Sequence, residues 1–138
     1  MLLVKMKYKL KHIKITQEVD IAKAIFAAED LAIIAGCNKS SQAMVATTVS
    51  ELARNIFLYA LKGEVLLKIV ERNGHKGIEV IAKDNGPGIK DITKVMSKSF
   101  VSSKGLGLGL KGAKRMMDEF IIDTKRKRGT KITTRKWC

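Results

Sequence analysis

The chain has little with which to build a stapled or metal-held scaffold. Its two cysteines, Cys37 and Cys138, and its two histidines, His12 and His75, have neither the number nor the spacing of a disulfide framework or a zinc site. All four read as non-functional. Long apolar runs are also missing: the best candidate, Ile21 to Ala35, is interrupted by Lys23, Glu29 and Asp30, so no membrane span is expected. The opening Met1-Leu2-Leu3-Val4 gives way to lysine too soon for a signal peptide. A cytoplasmic protein without membrane contact is the expectation. Aromatic residues make up only 5%, with no alternation of arginine and aromatics of the kind that stacks bases. That argues against a nucleic-acid partner even though acidic residues are scarce and the net charge is +14. Such a basic surface serves equally well to steer an acidic protein or a nucleotide.

What is present fits one domain, residues 1–138, with 46% hydrophobic residues to fill a core. Residues 4 to 15 alternate, Val4, Met6, Tyr8 and Leu10 lying between lysines before the phase shifts to Ile13 and Ile15. This predicts an opening strand with a bulge near Lys11 and His12. Thr16 or Asp20 can cap the helix that follows, in which Ile21, Ala24, Ile25, Ala28, Leu31, Ala32 and Ala35 recur at helical spacing until Gly36. A second helix is expected from about Gln42 to Leu61, with Ala46, Val49, Ala53, Ile56 and Ala60 on one face. Two strands, 64 to 72 and 77 to 83, meet at Asn73-Gly74, a strong hairpin signal. A third helix begins near Gly109, and two last strands, 120 to 125 and 130 to 137, are joined by the basic turn Lys125-Arg126-Lys127-Arg128. The order predicts an α/β two-layer sandwich: a mixed, mostly antiparallel sheet with helices on one face.

Three stretches carry chemistry. Asp84-Asn85-Gly86-Pro87-Gly88 ends a strand and holds the chain's only proline, presenting one carboxylate over a bare backbone. Alone it is as ordinary as any turn. Glu51 and Asn55 stand four apart on the second helix and so project together. A carboxylate there can take a proton from a hydroxyl, and an amide oxygen suits Mg²⁺; solvent-facing filler is the bland alternative. Gly105-Leu106-Gly107-Leu108-Gly109 opens the third helix, offering backbone N–H groups and a positive dipole end to a phosphate chain, or serving only as a hinge. It is neither a dinucleotide fingerprint, since no strand directly precedes it, nor a P-loop, which needs Gly-Lys-Ser/Thr at its end.

Taken together, Glu51-x-x-x-Asn55, Asp84-x-Gly86-x-Gly88, Gly105-x-Gly107-x-Gly109 and the late Gly129-Thr130 resemble the N, G1 and G2 boxes and closing threonine of the GHKL ATPases, in order and in spacing. Ser50-Glu51-Leu52-Ala53-Arg54-Asn55 and the Lys114 to Phe120 stretch resemble most the RsbT-type switch kinases of the bacterial stressosome, with anti-sigma-factor serine kinases as near relatives. The resemblance implies the Bergerat ATP-binding fold, ATP or ADP with Mg²⁺, and a protein serine/threonine kinase acting in stress signalling and sigma-factor regulation. Asp84 would accept from the adenine amino group, with Gly86 and Gly88 letting the base approach and Thr130 reaching the same edge. Asn55 would ligate Mg²⁺, and Glu51 would orient or deprotonate the attacking hydroxyl. Residues 97 to 109 would form the ATP lid, Gly105, Leu106, Gly107, Leu108 and Gly109 wrapping the phosphates and Lys104 standing as the candidate cation. Tyr59 departs from the family, where a basic or histidine side chain often stands four residues after the asparagine. The implied partners are STAS-domain proteins as substrate and scaffold, and a phosphatase regulator, with a monomer outside the complex because no exposed apolar stripe is evident. The alternatives are an anti-sigma-factor serine kinase and a nucleotide-gated binding module with negligible turnover.

Overall fold

The computed structural model describes residues 10–86, 109–123 and 128–138. The chain begins with β1 (Lys11–Ile15), α1 (Val19–Ala35) and α2 (Lys39–Asn55), and α2 runs on into a single π-helical turn, Ile56–Ala60. There follow β2 (Gly63–Arg72), β3 (His75–Asp84), α3 (Gly109–Met116), β4 (Glu119–Ile122) and β5 (Thr130–Trp137). The five strands form one sheet in the order β1-β2-β3-β5-β4. All four pairings are antiparallel, the limit of the mostly antiparallel sheet expected.

Local signals explain most boundaries. Gly36 ends α1 in the left-handed region at φ 85°, its N–H returning to the carbonyls of the last turn. Asn38 caps α2 by accepting from the Ser41 N–H at 2.8 Å. Asn73 and Gly74 both have positive φ, 53° and 81°, as a tight turn between right-twisted strands requires. Asp20 works backwards: its carboxylate accepts the N–H groups of Thr16 and Gln17, each at 3.0 Å, and so fastens the β1–α1 corner. Those backbone bonds, ahead of the Thr16 hydroxyl and Lys23, hold the Asp20 carboxyl below the ordinary carboxylate range.

The core lies between one face of the sheet and the helices. Val65, Leu67, Ile78, Val80, Ala82 and Ile132 face Ala24, Ala28, Leu31 and Ala32 of α1 and Val45, Val49 and Leu52 of α2, all of them buried. Each fully buried Leu, Ile or Val contributes about 1.5–3 kcal/mol relative to exposure, so this layer supplies most of the drive to fold. Leu110 and Ala113 seat α3 in the same layer.

Four expectations are corrected. The bulge at Lys11 and His12 is absent, because the register runs unbroken from Lys11↔Leu67 to Ile15↔Gly63. The second helix leaves α geometry at Ile56 and does not reach Leu61, which takes φ 69°. The two cysteines are joined: Cys37 and Cys138, 101 residues apart, form a disulfide between the α1–α2 link and the C-terminal residue, with Cα atoms 4.4 Å apart. Sequence distance hid a contact that folding creates. Finally, an apolar stripe is exposed after all, since Val19, Phe26 and Ile33 lie on the outward side of α1. The expected strand residues 4 to 9 and the basic turn residues 125 to 127 fall outside the described residues.

Candidate functional site

The end of the sheet where β3 terminates gathers the first group of motif residues. Asp84, the last residue of β3, pairs with Gly63 of β2 on one side and Thr130 of β5 on the other. Its Oδ1 accepts the Gly86 N–H at 2.9 Å, closing the turn on itself. Gly129 donates to the Gly86 carbonyl at 2.7 Å. With φ at 76°, Gly129 also lies so close that a Cβ there would overlap the Asp84 carbonyl oxygen. A Cβ at Gly63 would stand 2.6 Å from the Lys83 carbonyl oxygen and 2.9 Å from the Asp84 Cβ, and one at Gly86 would meet the Ala60 Cβ at 2.7 Å. Asp84 is therefore clamped by bare backbone on three sides. The sequence carries no signal that Gly63 and Ala60 border this turn, because only the register of β2 and the π-helical turn bring them there.

The second component lies on α2. Glu51 is buried, with 8% of its surface exposed, and Asn55 is half-buried one turn further on. The π-helical turn begins at the next residue, a departure from α geometry that recurs at functional sites. Tyr59 lies on this turn, partly exposed. The third component arrives from much later in the chain. The Gly109 N–H, at the start of α3, donates to Glu51 Oε2 at 3.2 Å, joining residues 58 apart. Gly109 has φ 68°, and a Cβ there would meet nothing within 4 Å among the described residues.

Thus Glu51, Asn55, Asp84, Gly86, Gly109 and Thr130 are all placed, with Asp84, Gly86 and Thr130 in one cluster and Glu51 joined to Gly109. Gly88, Lys104, Gly105, Leu106, Gly107 and Leu108 lie outside the described residues. Among the described residues no group of three or more His, Cys, Asp or Glu could hold a metal ion by itself. The donor chemistry suits a magnesium nucleotide instead. Mg²⁺ takes one or two protein oxygens and completes its shell with phosphates and water, which Asn55 can serve. A carboxylate at a strand end beside bare backbone suits a purine amino group, and the start of α3 offers orphan N–H donors to an anion.

A five-stranded antiparallel sheet covered on one face by helices, with an acidic strand end and a glycine-opened helix, has the architecture of a nucleotide-binding α/β sandwich. The histidine kinase-like ATPase domain model matches residues 15–136, nearly the whole chain, and the protein belongs to that family. Among its relatives, the serine/threonine-protein kinase RsbT of Bacillus subtilis (strain 168) is 46% identical over 125 residues, covering 91% of this chain and 94% of that one. The anti-sigma F factors of Clostridium novyi (strain NT) and Clostridium botulinum (strain Eklund 17B / Type B) are 31% and 29% identical, each over 67% of this chain and 68% of their own. Among the described residues, no helix is long and apolar enough to cross a membrane.

Proposed function

We propose that this chain, acting as one domain over residues 1–138, is an ATP-dependent protein serine/threonine kinase of the cytoplasm. Its substrates would be STAS-domain proteins of a bacterial stress-signalling complex, and once released it would bind and activate a phosphatase. The observation that carries the reading is the bond from the Gly109 N–H to Glu51, which joins a buried carboxylate to the start of the helix where a phosphate chain would end. Extensive similarity to a serine/threonine-protein kinase supports it.

In this reading Asp84, with Gly86, Gly88 and Thr130, holds the adenine, Asn55 ligates Mg²⁺, and Lys104 with the backbone of residues 105 to 109 meets the phosphates. Bound MgATP supplies the phosphoryl group and the charge neutralisation that its transfer needs. Glu51 would orient the incoming serine or threonine hydroxyl and accept its proton as the hydroxyl oxygen bonds to phosphorus and the phosphorus–oxygen bond to ADP breaks, passing the proton to solvent once ADP has left. Burial of Glu51 limits competition from water at the reacting centre. Tyr59 brings no cation, and Lys104 is the candidate to supply positive charge from the lid. The +14 net charge favours acidic regulatory partners, and their association should weaken as salt rises to physiological strength.

The test is calorimetry of ATP and ADP with and without Mg²⁺ on the wild type and Asp84→Asn, followed by phosphate transfer to a purified STAS-domain protein. Metal-dependent binding lost in the variant, with transfer to a serine or threonine, is the expected result. Tight binding without transfer would favour the nucleotide-gated module, and transfer combined with sigma-factor sequestration the anti-sigma-factor reading.

A further inference from the structure

The phosphate-wrapping role implied for residues 105 to 109 treats their backbone N–H groups alike, yet the N–H of Gly109 is directed to Glu51 Oε2 at 3.2 Å. Two further facts bear on this. First, among the described residues a Cβ at Gly109 would meet nothing within 4 Å, so none of them crowds this position; what disfavours other residues is φ 68°, which aims this N–H. Second, the next residue, Leu110, is 4% exposed and Ala113 is fully buried, so the start of α3 is set by core packing and does not depend on a ligand.

We propose that Gly109 is a positioning residue for Glu51. Its N–H holds Oε2 and fixes the side chain's rotamer, leaving Oε1 to face the substrate hydroxyl. The contact also answers two needs at once. Among the described residues Glu51 has no cationic partner, and the first N–H groups of α3 have no acceptor within their own helix. A buried carboxylate at the positive end of a helix satisfies both. The glycine-rich stretch then divides in function, its last glycine serving the base and the preceding residues serving the nucleotide. This inference rests on the kinase reading.

The experiment compares wild type, Gly109→Ala and Gly109→Asn as full-length chains, measuring kcat and the ATP KM for transfer to a STAS-domain protein and the ADP Kd by calorimetry. Asparagine tolerates the left-handed region and alanine resists it. The expected result is a kcat lowered about 10- to 100-fold in Gly109→Ala, since small misplacement of a reacting group costs that much. ATP KM and ADP Kd should stay within about twofold, and Gly109→Asn should recover most of kcat. A raised KM and Kd with unchanged kcat would show that this N–H serves phosphate and overturn the proposal, as would wild-type kcat in both variants. If the wild type transfers no phosphate, the kinase reading fails separately, and amide exchange then decides the contact itself: faster exchange at Gly109 in Glu51→Ala than in wild type upholds the bond, and equal exchange removes it.

Discussion

Two buried glutamates, Glu79 on the sheet and Glu51 on α2, have opposite surroundings. Glu79, on the face that no described helix covers, is 5% exposed and pairs with Arg135 at 2.8 Å and Lys68 at 3.5 Å. Arg135 also reaches Glu119 at 2.9 Å, and Glu119 accepts from Trp137 Nε1 and Arg72, whose guanidinium lies 4.7 Å from the centre of the Trp137 ring. Partial burial works against the charge of Glu119, but Trp137, Arg135 and Arg72 together outweigh it and hold its carboxyl below the usual range. Glu51, 8% exposed on α2, has one bond, from a backbone N–H, among the described residues. A carboxylate whose oxygens are occupied by cations is structural, whereas one held by a single neutral donor keeps an oxygen for a substrate. The contrast teaches that burial alone does not mark a reactive acid; the identity of its partners does.

The sharpest break of this contrast is a matched pair of substitutions. Glu51→Gln should lower phosphate transfer by about 10²- to 10⁴-fold, the usual worth of a general base, with nucleotide affinity retained. Glu79→Gln should leave transfer near the wild-type rate while lowering the midpoint of urea unfolding. Equal kinetic losses in both would end the distinction. Next in size, Arg135→Met should cost about 3 kcal/mol in equilibrium unfolding, because Glu79 would stay buried without its principal partner. A loss under about 1 kcal/mol would mean that Lys68 or water compensates.

Smaller effects refine the picture on the helix side. Thr48 is fully buried on α2, and its hydroxyl has no partner among the described residues. Thr48→Val removes that unmet need at nearly constant shape and should raise stability by about 1 kcal/mol; a loss would reveal a bound water. Asp20 supplies the smallest effect and a pH signature. Its folded carboxyl lies below the ordinary value, so its stabilisation is full above the unfolded range and is lost as pH falls through the folded one. The gap in unfolding midpoint between wild type and Asp20→Asn should therefore be widest near neutrality and close in strong acid. A gap independent of pH would assign the effect to packing.

Much of this was legible in the chain. The apolar spacing from Ile21 to Ala35 matched the buried side of α1, with only Ile25 half-buried, because a 3.6-residue period has one solution against a sheet. Asn73-Gly74 marked the hairpin because few residues tolerate two consecutive positive φ values. The same local grammar hid other features. The outward Val19, Phe26 and Ile33 fall among the polar residues of α1 and are visible as a stripe only once its buried side is known.

The sequence by itself determined the elements, their order, and the residue types available for binding and proton transfer, since these follow from periodicity, turn chemistry and motif spacing along one dimension. Tertiary structure alone decided that β5 enters between β3 and β4, bringing Gly129 and Thr130 against Asp84. It also decided that Arg135 and Lys68, of the chain's many cations, pair with Glu79, and that Gly109 closes on Glu51. Such pairings depend on strand register and on how helices seat in a shared core, and these are set by packing among all the layers at once.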